Sequence, residues 1–263
     1  MSALPVTFLS DYGYEDEFAG VCRAVIARLA PGAGVIDLTH GIPAGDVRRG
    51  ALALEAVVAQ VGAAVHLAVV DPGVGSERRG VALRVGDAFL VGPDNGLLAL
   101  AATRLGGVDE AVDISSTSLR LEPVAPTFHG RDVFAPVAAH LAAGRPLASV
   151  GEAMDPGSLV GLDLPEPRRD GNALVAHVLY ADRFGNLVLD ARTDDLGASP
   201  SPLSIAVAGR AFQAVRGATF ADGAGGLVVY DDSSGRLGIA ADRGSAGELL
   251  GAGRDDELRL SPA

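Results

Sequence analysis

A chain of 263 residues, 48% hydrophobic and 21% charged, is long enough to bury a large core and to form two domains. Its formal net charge of −12 argues against nucleic acid or an anionic membrane as partner, since phosphate binding takes clustered Lys and Arg; it suits a cationic or neutral small substrate. A single cysteine, Cys22, excludes an intramolecular disulfide and a cysteine-held metal cluster, and there is neither a signal-like N-terminus nor an unbroken apolar stretch of ~20 residues, so a soluble, cytoplasmic protein is expected.

In chain order, Pro5 to Ser10 reads as a first strand. A helix from Asp16 to Ala30 follows, with Phe18, Val21, Val25 and Leu29 on one face, Cys22 a small buried apolar residue, and Pro31-Gly32 as the stop. Gly34 to Leu38 is a second strand, and Asp46 to Val61 an amphipathic helix with Asp46 as N-cap. Val65 to Val70, apolar apart from His66, reads as a strand covered on both faces and stops at Asp71-Pro72-Gly73. Val81 to Val85 and Ala88 to Val91 form a hairpin around Gly86-Asp87, and Gly92-Pro93-Asp94-Asn95-Gly96 is a turn ahead of an apolar helix. Arg131 to Ala143 is a helix closed by Gly144, in which Pro136 is tolerated only near the first turn.

After a linker from Leu162 to Gly171 the pattern becomes short strands separated by turn residues: Ala173 to Tyr180, Leu187 to Asp190, Leu203 to Val207, Ala211 to Val215, Gly226 to Tyr230, Leu237 to Ala240 and Glu257 to Leu260. The expected architecture is an α/β N-terminal domain with a mostly parallel sheet over residues 1–163, followed by a smaller all-β, barrel-like C-terminal domain over 172–263.

Ser10-Asp11, Thr39-His40 and Asp71 all stand at carboxyl ends of predicted strands, where the ligand crevice of an open α/β sheet lies. Asp11 can accept two hydrogen bonds from ribose hydroxyls, and Asp16 either caps the following helix or meets a substrate ammonium group. The segment Val70 to Arg78 is a strand end with a glycine-bearing turn, but it lacks the lysine of a phosphate-binding loop. Of the five histidines, His129 sits in a polar, glycine-flanked turn at a helix start; His40 is the only other one in a turn, while His66, His140 and His177 lie within elements. No pair has metal-ligand spacing, and no Gly-x-Ser-x-Gly nucleophile elbow occurs. In the second domain, Asp182 to Asn186 and Tyr230 to Gly235 each join two strands and have the composition of β-turns.

Ser10-Asp11-Tyr12-Gly13, Asp37-Leu38-Thr39-His40, Val70 to Gly75, Gly92 to Gly96, Thr127 to Asp132 and Asp182 to Asn186, in this order, resemble the S-adenosyl-L-methionine (SAM) hydroxide adenosyltransferase family, relatives of the fluorinases and chlorinases. The resemblance implies cleavage of SAM at the ribose C5' carbon by a water-derived hydroxide, giving adenosine and L-methionine, with no cofactor and no metal. It implies a homotrimer with sites between subunits. By the same resemblance Asp11 holds the ribose hydroxyls, Asn186 the adenine, and Asp16, Asp182 and Ser233 the methionine end, with Tyr230 and the backbone near Arg243 beside the adenine. The Asp, Arg and His set of the hydrolytic members falls on Asp71, Arg78 and His129.

Halogenating relatives differ at the positions of Asp71 and His129, and the connection from Arg78 to Pro93 is too short for the fluorinase's added loop. Gly130 resembles the chlorinase's halide position, so chloride chemistry is the second reading, and a non-catalytic SAM- or adenosine-binding protein the third. In the hydrolytic reading a water held by Asp71 and His129 attacks in line while Arg78 fixes the carboxylate; the sequence leaves open which of the two takes the proton. An ion pair of Asp71 with Arg78 that only braces the turn is the structural alternative.

Overall fold

Apolar runs alternating with amphipathic helices build the first of two units, Met1–Leu162, in the computed structural model, which describes residues 3–197 and 201–263. The elements are β1 (Val6–Ser10), α1 (Phe18–Leu29), β2 (Val35–Thr39), α2 (Val47–Val61), β3 (Val65–Val69), β4 (Gly80–Val85), β5 (Ala88–Pro93), α3 (Ala99–Arg104), β6 (Glu110–Asp113), a π-helical turn (Gly130–Phe134), α4 (Ala135–Ala142) and β7 (Glu152–Met154). They form one sheet in the order β2-β1-β3-β5-β4-β6-β7. Strands β2, β1, β3 and β5 pair in parallel, β4 is antiparallel to β5 and β6, and β7 to β6, so the sheet is mostly parallel as expected.

Every residue of β1 and β3 is buried, and their side chains alternate between two apolar layers. Leu67 and Val69 join Cys22, Ile26, Val137 and Leu141 under α1 and α4, while Ala68 and Val70 join Leu54, Val58, Leu97 and Ala101 under α2 and α3. His66 stands opposite Thr7 in register, and its Nδ1 lies 2.8 Å from Thr7 Oγ1. Burial lowers its pKa to about 4, which keeps the imidazole neutral between the helical layers.

Asp46 caps α2 as its sequence position suggests, accepting from Arg49 N at 3.0 Å. Two helix starts differ from expectation. The first helix begins at Phe18 with Glu17 as its uncapped entry residue, so Asp16 does not cap it. The helix expected over 131–143 is a π turn followed by α4, with Pro136 near the N-terminus of α4. A proline there leaves the Asp132 carbonyl without its helical donor, and Leu121 N supplies one instead at 2.8 Å.

The second unit, Asp163–Ala263, contains β8 (Arg168–Asp170), β9 (Ala173–Ala181), β10 (Leu187–Leu189), α5 (Thr193–Leu196), β11 (Leu203–Val207), β12 (Arg210–Arg216), β13 (Leu227–Asp231), β14 (Leu237–Ala241), α6 (Ala246–Leu250) and β15 (Glu257–Pro262). The order β10-β14-β13-β12-β11-β15-β9-β8, with β9 also paired to β10, closes a barrel and leaves β8 outside the ring. Closure removes the sheet edges and lets Leu174, Val178, Ile205, Val229, Ile239 and Leu258 fill one core. The stretch expected to be a linker therefore carries a strand, β8, hydrogen-bonded to β9. Among the described residues no helix is long and apolar enough to cross a membrane.

Candidate active site

From β1 the chain runs to β2 on one side and then crosses back to β3 on the other, which makes the carboxyl ends of β1 and β3 a topological switch point. Asp11 follows β1 directly and Asp71 stands just beyond β3, so the sheet brings together two carboxylates that the sequence places far apart. Asp11 is anchored by Gly45 N, which donates to its Oδ2 at 2.8 Å. The β1 end is braced from beneath: buried Ser10 Oγ lies 2.7 Å from Nδ1 of buried His40 and accepts from Tyr12 N at 3.3 Å, and His40 Nε2 lies 3.3 Å from Asp37 Oδ1. These three residue types can form a nucleophilic triad, but Ser10 is fully buried and holds the turn bearing Asp11 and Tyr12.

The loop after β3 folds back on itself. Val74 N donates to Asp71 O at 3.2 Å, Ser76 N and Oγ donate to Gly73 O at 3.1 and 2.7 Å, and Arg78 N donates to Ser76 Oγ at 3.2 Å. This curl lays the Arg78 guanidinium across the Asp71 carboxylate, Nε donating to Oδ1 at 2.9 Å and to Oδ2 at 3.1 Å, with a further bond from Nη2 to Oδ2. Gly75 lets the Thr127–Gly130 segment come close: its φ is +79° and a Cβ there would lie 2.7 Å from the Pro126 carbonyl oxygen.

That approach puts His129 beside the pair, with Arg78 Nη2 at 3.0 Å from His129 Nδ1. A guanidinium only donates, so Nδ1 is the acceptor and the neutral ring carries its proton on Nε2. Burial first, and then the Arg78 charge, lower the His129 pKa against the opposite pull of Asp71 and Asp132. The imidazole is therefore neutral at pH 7, with Nε2–H as a donor. Arg78 also lies over the Phe134 ring, its guanidinium carbon 5.1 Å from the centroid. Side-chain exposures of 11% for Arg78 and 6% for Asp71 make this a buried pair rather than a surface bridge.

Asp11, Tyr12, Asp71, Val74, Thr127, His129 and Gly130 line a pocket of about 50 Å³, and a second cavity of about 190 Å³ on the far side of His129 is lined by Ser76, Arg78, Ser115 and Val133. Two residues here carried no role in the sequence reading. Buried Asp132 accepts from Arg131 Nε at 2.6 Å and Ala125 N at 2.8 Å, fixing the loop before His129 to the π turn. Tyr12 faces the same pocket as the two carboxylates, and its one advance signal was its place next to Asp11. Asp16 is exposed in the bend before α1 and does not line this pocket.

In the second unit Asp182, Tyr230 and Ser233 line one cavity of about 470 Å³ with Tyr180, Thr219 and Phe220. Tyr230 meets Phe220 edge to face at 5.1 Å, and burial, then Asp182 and Asp232, push its hydroxyl up to about 12. Asp182 is engaged by its own turn: Oδ1 accepts from Phe184 N at 2.8 Å and Asn186 N at 3.0 Å, and Oδ2 from Asn186 Nδ2 at 2.9 Å. Asn186 is buried and, with Arg243, is not among the cavity-lining residues. Arg243 adopts a left-handed backbone, φ 59°, and its side chain is exposed. Among the described residues no group of three or more His, Cys, Asp or Glu could hold a metal ion.

Two family models match the chain, the SAM hydroxide adenosyltransferase N-terminal domain over residues 6–151 and its C-terminal domain over 176–259. A protein from Salinispora arenicola named (R)-S-adenosyl-L-methionine hydrolase is 49% identical over 99% of each chain. One of the same name from Thermus thermophilus is 41% identical over 97% of this chain and 99% of its own, and a fluorinase from an Actinoplanes species is 28% identical over 89% and 90%. An uncharacterized conserved protein from Thermotoga maritima superposes with a TM-score of 0.91 at 33% identity, over 97% of this chain and 99% of that one.

Proposed function

Because the chain belongs to the SAM hydroxide adenosyltransferase family across both of that family's domains, we propose that it hydrolyses SAM at C5', yielding adenosine and L-methionine. The observation that carries this reading is the single guanidinium joining Asp71 to His129 at the switch-point pocket. Departure of the sulfonium needs no metal or acid, because breaking C5'–S returns the electron pair to sulfur as a neutral thioether. The demand falls on the nucleophile, since bulk water has a pKa of about 15.7.

With His129 Nδ1 occupied by Arg78, the proton-bearing Nε2 holds the water oxygen and cannot take its proton. That leaves Asp71 as the acceptor. The water oxygen bonds to C5', C5'–S breaks, and the water's proton passes to Asp71 and then to solvent. Asp11 holds the ribose hydroxyls, anchored for that purpose by Gly45. Asn186, Asp182, Ser233, Tyr230 and the Arg243 backbone, with Asp16, bind the adenine and methionine ends in a homotrimer whose sites lie between copies. No cofactor takes part, and a cytoplasmic location fits a chain with one cysteine.

General-base assistance contributes about 10²–10⁴-fold, so Asp71→Asn should lose about that much kcat while still binding SAM. His129→Gln retains a donor and should keep more activity than His129→Leu. Equal loss in the two His129 variants beside an active Asp71→Asn enzyme would overturn the assignment of Asp71 as base. A purified protein that binds SAM without releasing adenosine would overturn the enzymatic reading altogether.

A further inference from the structure

Gly130 opens the π turn with no positive φ, so its backbone does not require glycine. The space beside it does. A Cβ at this position would lie 1.9 Å from Tyr12 Oη and 3.0 Å from Tyr12 Cζ, so the phenol occupies the volume that a side chain at residue 130 would take. The ring is held edge-on to Phe8 and Phe128, at 6.4 and 5.8 Å, and packs 5.9 Å from Phe18. Its backbone N–H is tied to Ser10 Oγ, itself bonded to buried His40. Burial, the Cys22 thiol and the Asp11 and Asp71 carboxylates hold the phenol far above its ordinary pKa against the pull of Arg78, so it stays protonated. Among the described residues Oη has no hydrogen-bond partner within the protein, although it borders the pocket of about 50 Å³ that Asp71 and His129 share. A space of that size holds one or two waters, at about 30 Å³ each in the liquid.

We propose that Tyr12 selects and holds the nucleophile: its hydroxyl fills the space over Gly130, limits the pocket to water, and accepts a hydrogen bond from the attacking water, whose other proton goes to Asp71 and whose oxygen keeps a lone pair for C5'. The proposal rests on the reading of this pocket as the site of water attack. It also accounts for Gly130 without chloride. The small residue makes room for a tyrosine, and removing the hydroxyl would free space beside C5' for a larger nucleophile.

Tyr12→Phe keeps the ring and removes only the oxygen. It should lower kcat at least tenfold with the KM for SAM within about twofold, and in concentrated chloride it should raise the ratio of 5'-chloro-5'-deoxyadenosine to adenosine at least tenfold over the native enzyme. A native kcat, or an unchanged ratio, overturns the proposal. A second measurement does not depend on turnover. Gly130→Ala should lower the melting temperature, and adding Tyr12→Phe should recover part of the loss; a Gly130→Ala variant equally stable with Tyr or Phe at residue 12 overturns the packing. Asp71→Asn run in parallel separates the two failures: if it is inactive while Tyr12→Phe is native-like, only the role of Tyr12 falls, and if it is fully active the reading of the pocket falls with it.

Discussion

Arg78→Met removes the guanidinium fork but keeps most of the apolar stem. With Asp71 only 6% exposed, its carboxylate is then left without its buried partner, a loss that costs about 3–5 kcal/mol. The comparison is Arg168→Met, whose ion pair with Glu257 joins side chains 56% and 51% exposed. Pairs of that kind are worth roughly 0–1 kcal/mol. Urea unfolding followed by far-ultraviolet circular dichroism, reading the helices of the first unit and the strands of the second, shows the difference: at an m-value of about 2 kcal/mol/M, Arg78→Met should move the first unit's midpoint down by about 1.5–2.5 M and Arg168→Met the second unit's by at most about 0.5 M. The double variant Asp71→Asn/Arg78→Met should regain most of the lost stability, having no buried charge to strand, yet remain inactive. If Arg78→Met costs no more than Arg168→Met, the pair is a solvated brace and its burial contributes nothing.

His66 binds a proton at about 4 when folded and at its ordinary value of 6.5 when unfolded, so its contribution is intact above 6.5 and is lost as pH falls toward 4. Over that interval the native protein should lose about 3 kcal/mol more stability than His66→Gln, as measured by urea midpoints at each pH; parallel curves would contradict the buried neutral imidazole. Gly75→Ala forces a Cβ against the Pro126 carbonyl at a positive φ, and should cost about 1–3 kcal/mol while lowering kcat more than it raises KM, because the His129 segment must retreat from Asp71. Asp46→Ala removes a helix N-cap and should lower stability by about 1 kcal/mol in thermal melts, with kcat unchanged.

Strands β1 and β3 were legible because both layers cover them and every residue is buried, leaving runs that are apolar except for Thr7 and His66, which meet each other, and that end in polar residues. Their ends located Asp11 and Asp71 in advance, since the crevice position follows from α/β topology alone. Strand β8 carried no such signal: Arg168, Arg169 and Asp170 are all exposed, and they form a strand because β10 pairs only the far half of β9 and leaves Ala173 to Val175 for them. The π turn was equally hidden, for the donor that completes the Asp132 carbonyl comes from Leu121, outside the helix. The tautomer of His129 depends on Arg78, and the space over Gly130 on Tyr12, each from a different segment. Such contacts belong to the folded arrangement, and no local pattern announces them. Asp182 shows the converse, a residue read both as a turn former and as a ligand whose carboxylate the structure engages in its own turn.

Oxygen-18 water reports whether water attacks C5' of SAM at the pocket holding Asp71 and His129. The purified protein incubated with SAM in labelled water should release adenosine carrying the label in its 5'-hydroxyl, together with unlabelled methionine. Methylthioadenosine with labelled homoserine would place the attack at another carbon and contradict the account, as would adenosine without the label.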